Sequence, residues 1–133
     1  PRLELTLLRP VLSVCRLDPT AEIPEWARQG PFFCVAHTPD EMSIVCLAEQ
    51  VPQGIRQEAG WRAFKLHGPI EFSAVGVLAS LTPPLARSGI SLFAISTFDT
   101  DYLLVKEENV KKATLALRQE GHRIHPEPKP RSS

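Results

Sequence analysis

Asp99 and Asp101 lie in a short acidic turn, T-F-D-T-D, between the apolar runs around residues 90–96 and 102–105. Carboxylates next to strands that bury their side chains cost free energy unless they gain partners. The turn is therefore a candidate ligand site. The same two residues also fit solvated carboxylates stabilising an Asx-type turn, and both readings stand at this level. Acid–base catalysis by the pair would need a nucleophile or an electrophilic set close by. Ser73 and Ser96 lack the G-x-S-x-G context of a nucleophile elbow, and the glycines form no phosphate-binding loop. Cys34-x-x-His37 together with Cys46 offers zinc-ligand residue types. Structural zinc wants four ligands at loop or knuckle spacing, and on a strand positions 34 and 37 point to opposite faces. The expectation is a binding site, with no catalysis, no metal and no cofactor.

The elements that must hold this turn follow from patterning. Residues 90–97 and 101–106 read as strands on either side of Phe98-Asp99-Thr100. A helix over about 75–87 precedes them, with Val77, Leu78, Leu81 and Leu85 on one apolar face. Pro83 and Pro84 predict a kink or a restart in it, because each removes a backbone donor at a cost of about 3 kcal/mol. A second helix covers about 108–120, with Val110, Ala113 and Leu117 as its buried stripe and Gly121 at its C′ position. A strand at 61–67 opens this half and a short strand at 122–125 closes it, giving the split β-α-β-β-α-β order. Upstream, residues 3–8, 11–17, 32–37 and 42–48 read as strands, with a short helix at 23–28 begun by Pro24 and a polar connector over 51–60. Trp26 and Trp61 read as packing residues, and the four histidines as surface or strand-end residues.

The predicted fold is α+β, with two ferredoxin-like halves packed together and the first half degenerate. Their expected limits are 1–59 and 60–125, followed by a disordered tail at 126–133, which lacks apolar residues. A chain of 133 residues that is 43% hydrophobic can build a real core. Fifteen basic and fifteen acidic residues leave no net charge, which argues against a nucleic-acid partner. No apolar run approaches membrane-spanning length. No leader pattern opens the chain, and three cysteines in apolar runs fit reduced thiols better than a disulfide framework. A cytoplasmic protein is expected, with neither nucleic acid nor membrane as partner.

Several runs carry a more specific signal: L-S-V-C-R-L-D (12–18), S-I-V-C (43–46), G-W-R-A-F-K-L-H-G-P (60–69), G-V-L-A-S-L (76–81), P-L-A (84–86) and S-T-F-D-T-D-Y-L-L-V-K-E-E (96–108). Over about residues 3–122 the chain resembles the ACT-domain family, in the form of compact bacterial tandem-ACT proteins similar to one half of the animal arginine-sensing CASTOR proteins. The resemblance implies the ferredoxin-like ACT fold and reversible binding of a free amino acid, with allosteric regulation as its purpose. It places the ligand between two equivalent ACT units. One unit would contribute Gly76, Val77, Thr97, Phe98 and Asp101, and the other Ser91 and Leu92. A further acidic contact of the family falls on Ala74, with Glu71 nearby. Arginine or another cationic amino acid is the first candidate because of Asp101, and small neutral amino acids come second because of Ala74. Helix-terminal N–H groups suit a carboxylate, Gly76 leaves that approach open, and Asp101 suits an ammonium or guanidinium. Gly76 also fits a plain helix cap, and Ser91 and Leu92 plain strand residues. One convincing copy per chain implies a homodimer with two-fold symmetry. The competing class is a structural or protein-interaction module that keeps the fold without a ligand.

Overall fold

The computed structural model describes residues 2–67 and 76–129. The strands are β1 (Glu4–Leu7), β2 (Leu12–Leu17), β3 (Phe33–His37), β4 (Met42–Leu47), β5 (Arg56–Leu66), β6 (Leu92–Ser96), β7 (Asp101–Lys106) and β8 (Arg123–Pro126). The helices are α1 (Val77–Arg87) and α2 (Val110–Gln119), the latter preceded by a 3-10 turn at Glu107–Asn109. Further 3-10 turns lie at Glu25–Arg28 and Ala48–Gln50. By contact density the chain divides into two compact units, Pro10–Trp61 and Pro1–Arg9 with Arg62–Ser133, so that β5 supplies residues to both.

In the unit Pro10–Trp61, β2 pairs antiparallel with β4, from Leu12↔Leu47 to Leu17↔Met42, and β4 pairs antiparallel with β3. The first part of β5 lies antiparallel on β2, with a bulge between Leu12 and Val14. At that irregularity the buried Ser13 hydroxyl donates to Gln57 Oε1 at 2.7 Å. Alternation along β2 and β4 sends Cys15, Met42, Ile44 and Cys46 into a core with Ala27, against which Trp26, Ile23 and Val35 pack. Trp26 and Ala27 come from the Glu25–Arg28 turn, where Pro24 sits one position earlier than expected, as the extended cap residue. No α-helix occurs among the described residues of this unit.

The other unit follows the β-α-β-β-α-β order of β5, α1, β6, β7, α2 and β8, with one addition. Strand β1 lies antiparallel to β5, with Leu5↔Leu66 and Leu7↔Phe64, and parallel to β8, with Leu5↔Ile124. The sequence grouped residues 1–59 together, whereas β1 is an interior strand here. Leu5 is the reason: it is fully buried with Phe64, Leu66, Leu81, Leu85, Leu103, Val105, Ala113 and Leu117. Truncating a fully buried phenylalanine such as Phe64 to alanine costs about 3–5 kcal/mol. On the far side β7 pairs with β5 and β6, and β6 pairs with β7 from Leu92↔Val105 to Ser96↔Asp101.

Helix α1 continues as one element through Pro83 and Pro84, so the helix does not restart there. The prolines withhold donors from the carbonyls of Ala79 and Ser80. Ala79 is exposed, and burial of Leu81, Pro84 and Leu85 offsets the loss. Both helices close with the same two-bond cap. Gly89 N–H donates to Ala86 O and Ile90 N–H to Leu85 O, both at 3.0 Å, and Gly121 and His122 do the same to Arg118 and Leu117. His122, expected at the surface or at a strand end, stands just ahead of β8 and is buried, and its Nδ1 accepts the Leu3 N–H at 3.1 Å. The expected disordered tail begins in order. Pro126 pairs with Leu7, Glu127 N–H donates to Leu7 O at 3.1 Å, and Glu127 Oε1 accepts the Arg9 N–H at 2.9 Å. The predicted turn at Gly68-Pro69 lies outside the described residues, as do Glu71, Ser73 and Ala74.

Candidate functional site

The acidic turn is built by its own threonines. Thr97 N–H donates to Thr100 O at 2.8 Å, the Thr97 hydroxyl donates to the same carbonyl at 3.0 Å, and Thr100 N–H donates back to Thr97 Oγ1 at 3.3 Å. Thr100 is buried, and its hydroxyl donates to Leu66 O on β5 at 2.8 Å. The tip of the hairpin is thereby tied to the middle of its unit. Phe98 projects from the tip with 80% of its surface exposed. Asp99 is exposed as well.

Asp101 opens β7 opposite Ser96, and the Ser96 hydroxyl donates to its Oδ1 at 2.6 Å. Asp101 shares the alternation of Leu103 and Val105, which face the core, so its half-buried carboxylate lies on the helix-bearing side of the hairpin. Gly76 caps α1 in the left-handed region, with φ 87°, and the space where a Cβ would stand has no atom within 4 Å. Its carbonyl accepts the Ser80 N–H at 2.9 Å, while the first N–H groups of α1 lack intrahelical partners. Val77 and Leu92 are half-buried against the core, and Ser91 is exposed just ahead of β6.

The predicted site residues therefore form three groups within one unit. Thr97, Phe98 and Asp101 share the tip of the hairpin. Gly76 and Val77 start α1. Ser91 and Leu92 sit at the opposite end of β6, and five residues of strand separate Ser91 from Ser96 by about 17 Å. One free amino acid cannot touch both ends of β6 in the same copy. Sequence reasoning missed Ser96 and Thr100 as the partners that fix Asp101 and the turn. The spacing allows 96 to stand opposite 101, but no residue type singles out that register.

Among the described residues no group of three His, Cys, Asp or Glu side chains is placed to hold a metal. Burial pushes the Cys46 thiol up to about 12, reinforced by neighbouring Cys15, and burial also raises Cys15.

Fold and site together define a ferredoxin-like α+β module with a glycine-capped helix start and a carboxylate-bearing hairpin. A family model described as the ACT domain matches residues 56–119, and a second model, of an N-terminal domain, matches residues 12–54. Residues 56–119 thus belong to the ACT-domain family. It is 39% identical over 64 residues to the Homo sapiens protein called cytosolic arginine sensor for mTORC1 subunit 1, a match covering 46% of this chain and 20% of that protein. The chain thus spans about a fifth of the length of that relative. An X-ray structure of an Agrobacterium tumefaciens protein is 38% identical with a TM-score of 0.91, covering 100% of this chain and 99% of the other. Aspartate kinase from Clostridium acetobutylicum shares the fold, with a TM-score of 0.62 at 11% identity over 84% of this chain and 33% of that one. No described helix is long and apolar enough to cross a membrane.

Proposed function

We propose that this protein is a non-catalytic, cytoplasmic amino-acid sensor whose ligand sits between two copies of the chain. The ligand carboxylate would lie on the N–H groups at Gly76 and Val77. Its cationic end would meet Asp101 and the carbonyls near Thr97 and Phe98. Ser91 and Leu92 would reach it from the second copy. The observation that carries this reading is the separation along β6, because residues at its two ends can share one small ligand only if a partner supplies one of the ends.

The edge itself supports such a partner. Among the described residues β6 pairs with β7 alone, and Leu92–Ser96 carries no charge and no proline, the usual guards of an exposed edge. Antiparallel pairing of two β6 edges about Ala94 would set the partner's Ser91 opposite Thr97 and the partner's Leu92 opposite Ser96. Arginine heads the candidate ligands, on the fixed charge of Asp101 and on the name of the human relative; small neutral amino acids follow. Binding at such a seam favours one dimer geometry and so transmits occupancy by linkage. The competing reading, an interaction module without a ligand, draws on the internal bonds that already occupy Ser96, Thr97 and Thr100.

A thermal-shift panel of the twenty amino acids separates the two. A sensor gains stability as ligand concentration rises, by RT ln(1 + [L]/Kd), and Asp101→Asn abolishes that gain while the protein remains folded. A scaffold responds to none of the twenty. A gain that survives in Asp101→Asn refutes the site even where binding is real.

A further inference from the structure

We infer that Ser96 is a positioning residue that gives the site its preference for cationic ligands; this rests on the sensor reading above. The Ser96 hydroxyl meets Asp101 Oδ1 at 2.6 Å across the last β6–β7 pair before the turn. It is the one side-chain donor to this carboxylate among the described residues, which leaves Oδ2 without a donor there. An aspartate on a strand has two common χ1 rotamers. The bond from the opposite strand holds one of them, so the charge is aimed before any ligand arrives. Thr100 fixes the backbone one residue earlier through Leu66 O at 2.8 Å, and Ser96 fixes the side chain. Together they remove the freedom that a ligand would otherwise have to freeze out. Preorganisation of this kind benefits only a ligand that places a positive group on Oδ2. A neutral isostere of the same shape gains nothing from it.

The test is calorimetric titration of the wild type, Ser96→Ala and Ser96→Thr with arginine, lysine and citrulline. In Ser96→Ala, arginine and lysine are expected to bind about tenfold more weakly, the scale of one hydrogen bond to a charged group. Citrulline is expected to bind Ser96→Ala as it binds the wild type. Ser96→Thr restores the hydroxyl and keeps the wild-type ratio of arginine to citrulline. In the Asp101→Asn background, Ser96→Ala causes no further loss, because the two residues act as one unit. An equal loss for all three ligands means that Ser96 serves only the hairpin, and this overturns the inference; so does the absence of any loss. A wild type that binds none of the three when the amino-acid panel shows a binder among neutral residues overturns cation selectivity while leaving the sensor in place. A wild type that binds no amino acid at all overturns both.

Discussion

Replacing Thr100 by valine tests whether the hairpin tip is fastened to its unit as the hydrogen bonds imply. Valine keeps the branched shape of the buried side chain and removes only the hydroxyl that donates to Leu66 O at 2.8 Å. Packing is preserved, so the cost comes from the bond itself and from a buried carbonyl left without this donor, together about 2 kcal/mol. A chain of 133 residues has an unfolding entropy of about 0.28 kcal/mol/K, at about 2.1 cal/mol/K per residue. The expected drop in Tm is therefore about 7 °C. Thr100→Ser keeps the donor, loses one methyl, and falls by less than half as much. Circular dichroism melts of the three proteins at one concentration supply the numbers. The same variant would weaken amino-acid binding, because Asp101 follows Thr100 directly. A Thr100→Val protein that melts within about 1 °C of the wild type would show that the hydroxyl carries no net stability, and the anchoring role given to it would fall.

Gly76→Ala meets no atom in the space its Cβ would fill, yet φ 87° remains strained for any L side chain; a loss of about 1–2 kcal/mol is expected from the denaturation midpoint. Gly76→Asn, which tolerates that region, should lose less. Brief alkylation of the native protein at mildly alkaline pH should modify half-buried Cys34 and spare buried Cys15 and Cys46, with mass spectrometry reading all three as reactive in denaturant. Asp18 accepts from the Thr20 hydroxyl at 2.6 Å and from the Thr20 N–H at 2.9 Å, bonds that hold its carboxyl below its ordinary range. Its contribution to stability is thus present above the ordinary value of 3.8 and lost as pH falls through the lowered folded value. Asp18→Asn should be less stable than the wild type near neutrality, with the gap closing in acid; a gap that does not vary with pH contradicts the assignment.

Much of the architecture was legible where burial imposes a period. Strand β7 spans the residues expected of it, because Leu103, Leu104 and Val105 are buried and the turn before it is polar. The stripe of α2 was readable in Val110, Ala113 and Leu117 for the same reason. Strand β5 starts earlier than the alternation at Trp61 suggested, since Arg56, Gln57 and Glu58 are exposed, and exposed strand residues leave no hydrophobic pattern to read. The place of β1 was hidden because its partners, β5 and β8, are distant in sequence, and nothing in Glu4–Leu7 names them. The burial of His122 was hidden because its partner is the backbone N–H of Leu3, 119 residues away. At the site, residue types identified Asp101 and the turn. The bonds from Ser96 and Thr100 depend on strand register, which the spacing allowed but did not single out.

The central claim is that one amino acid is shared between a helix start and the hairpin of one copy and the far end of β6 of another. A crystal structure grown with the amino acid that gives the largest thermal shift tests it most directly. The expected result is a two-fold dimer with density for the ligand carboxylate on the Gly76 and Val77 N–H groups, its cation on Asp101, and the partner's Ser91 in contact. A ligand bound within one copy and away from Asp101, or a dimer joined through another surface with β6 left in solvent, would contradict it.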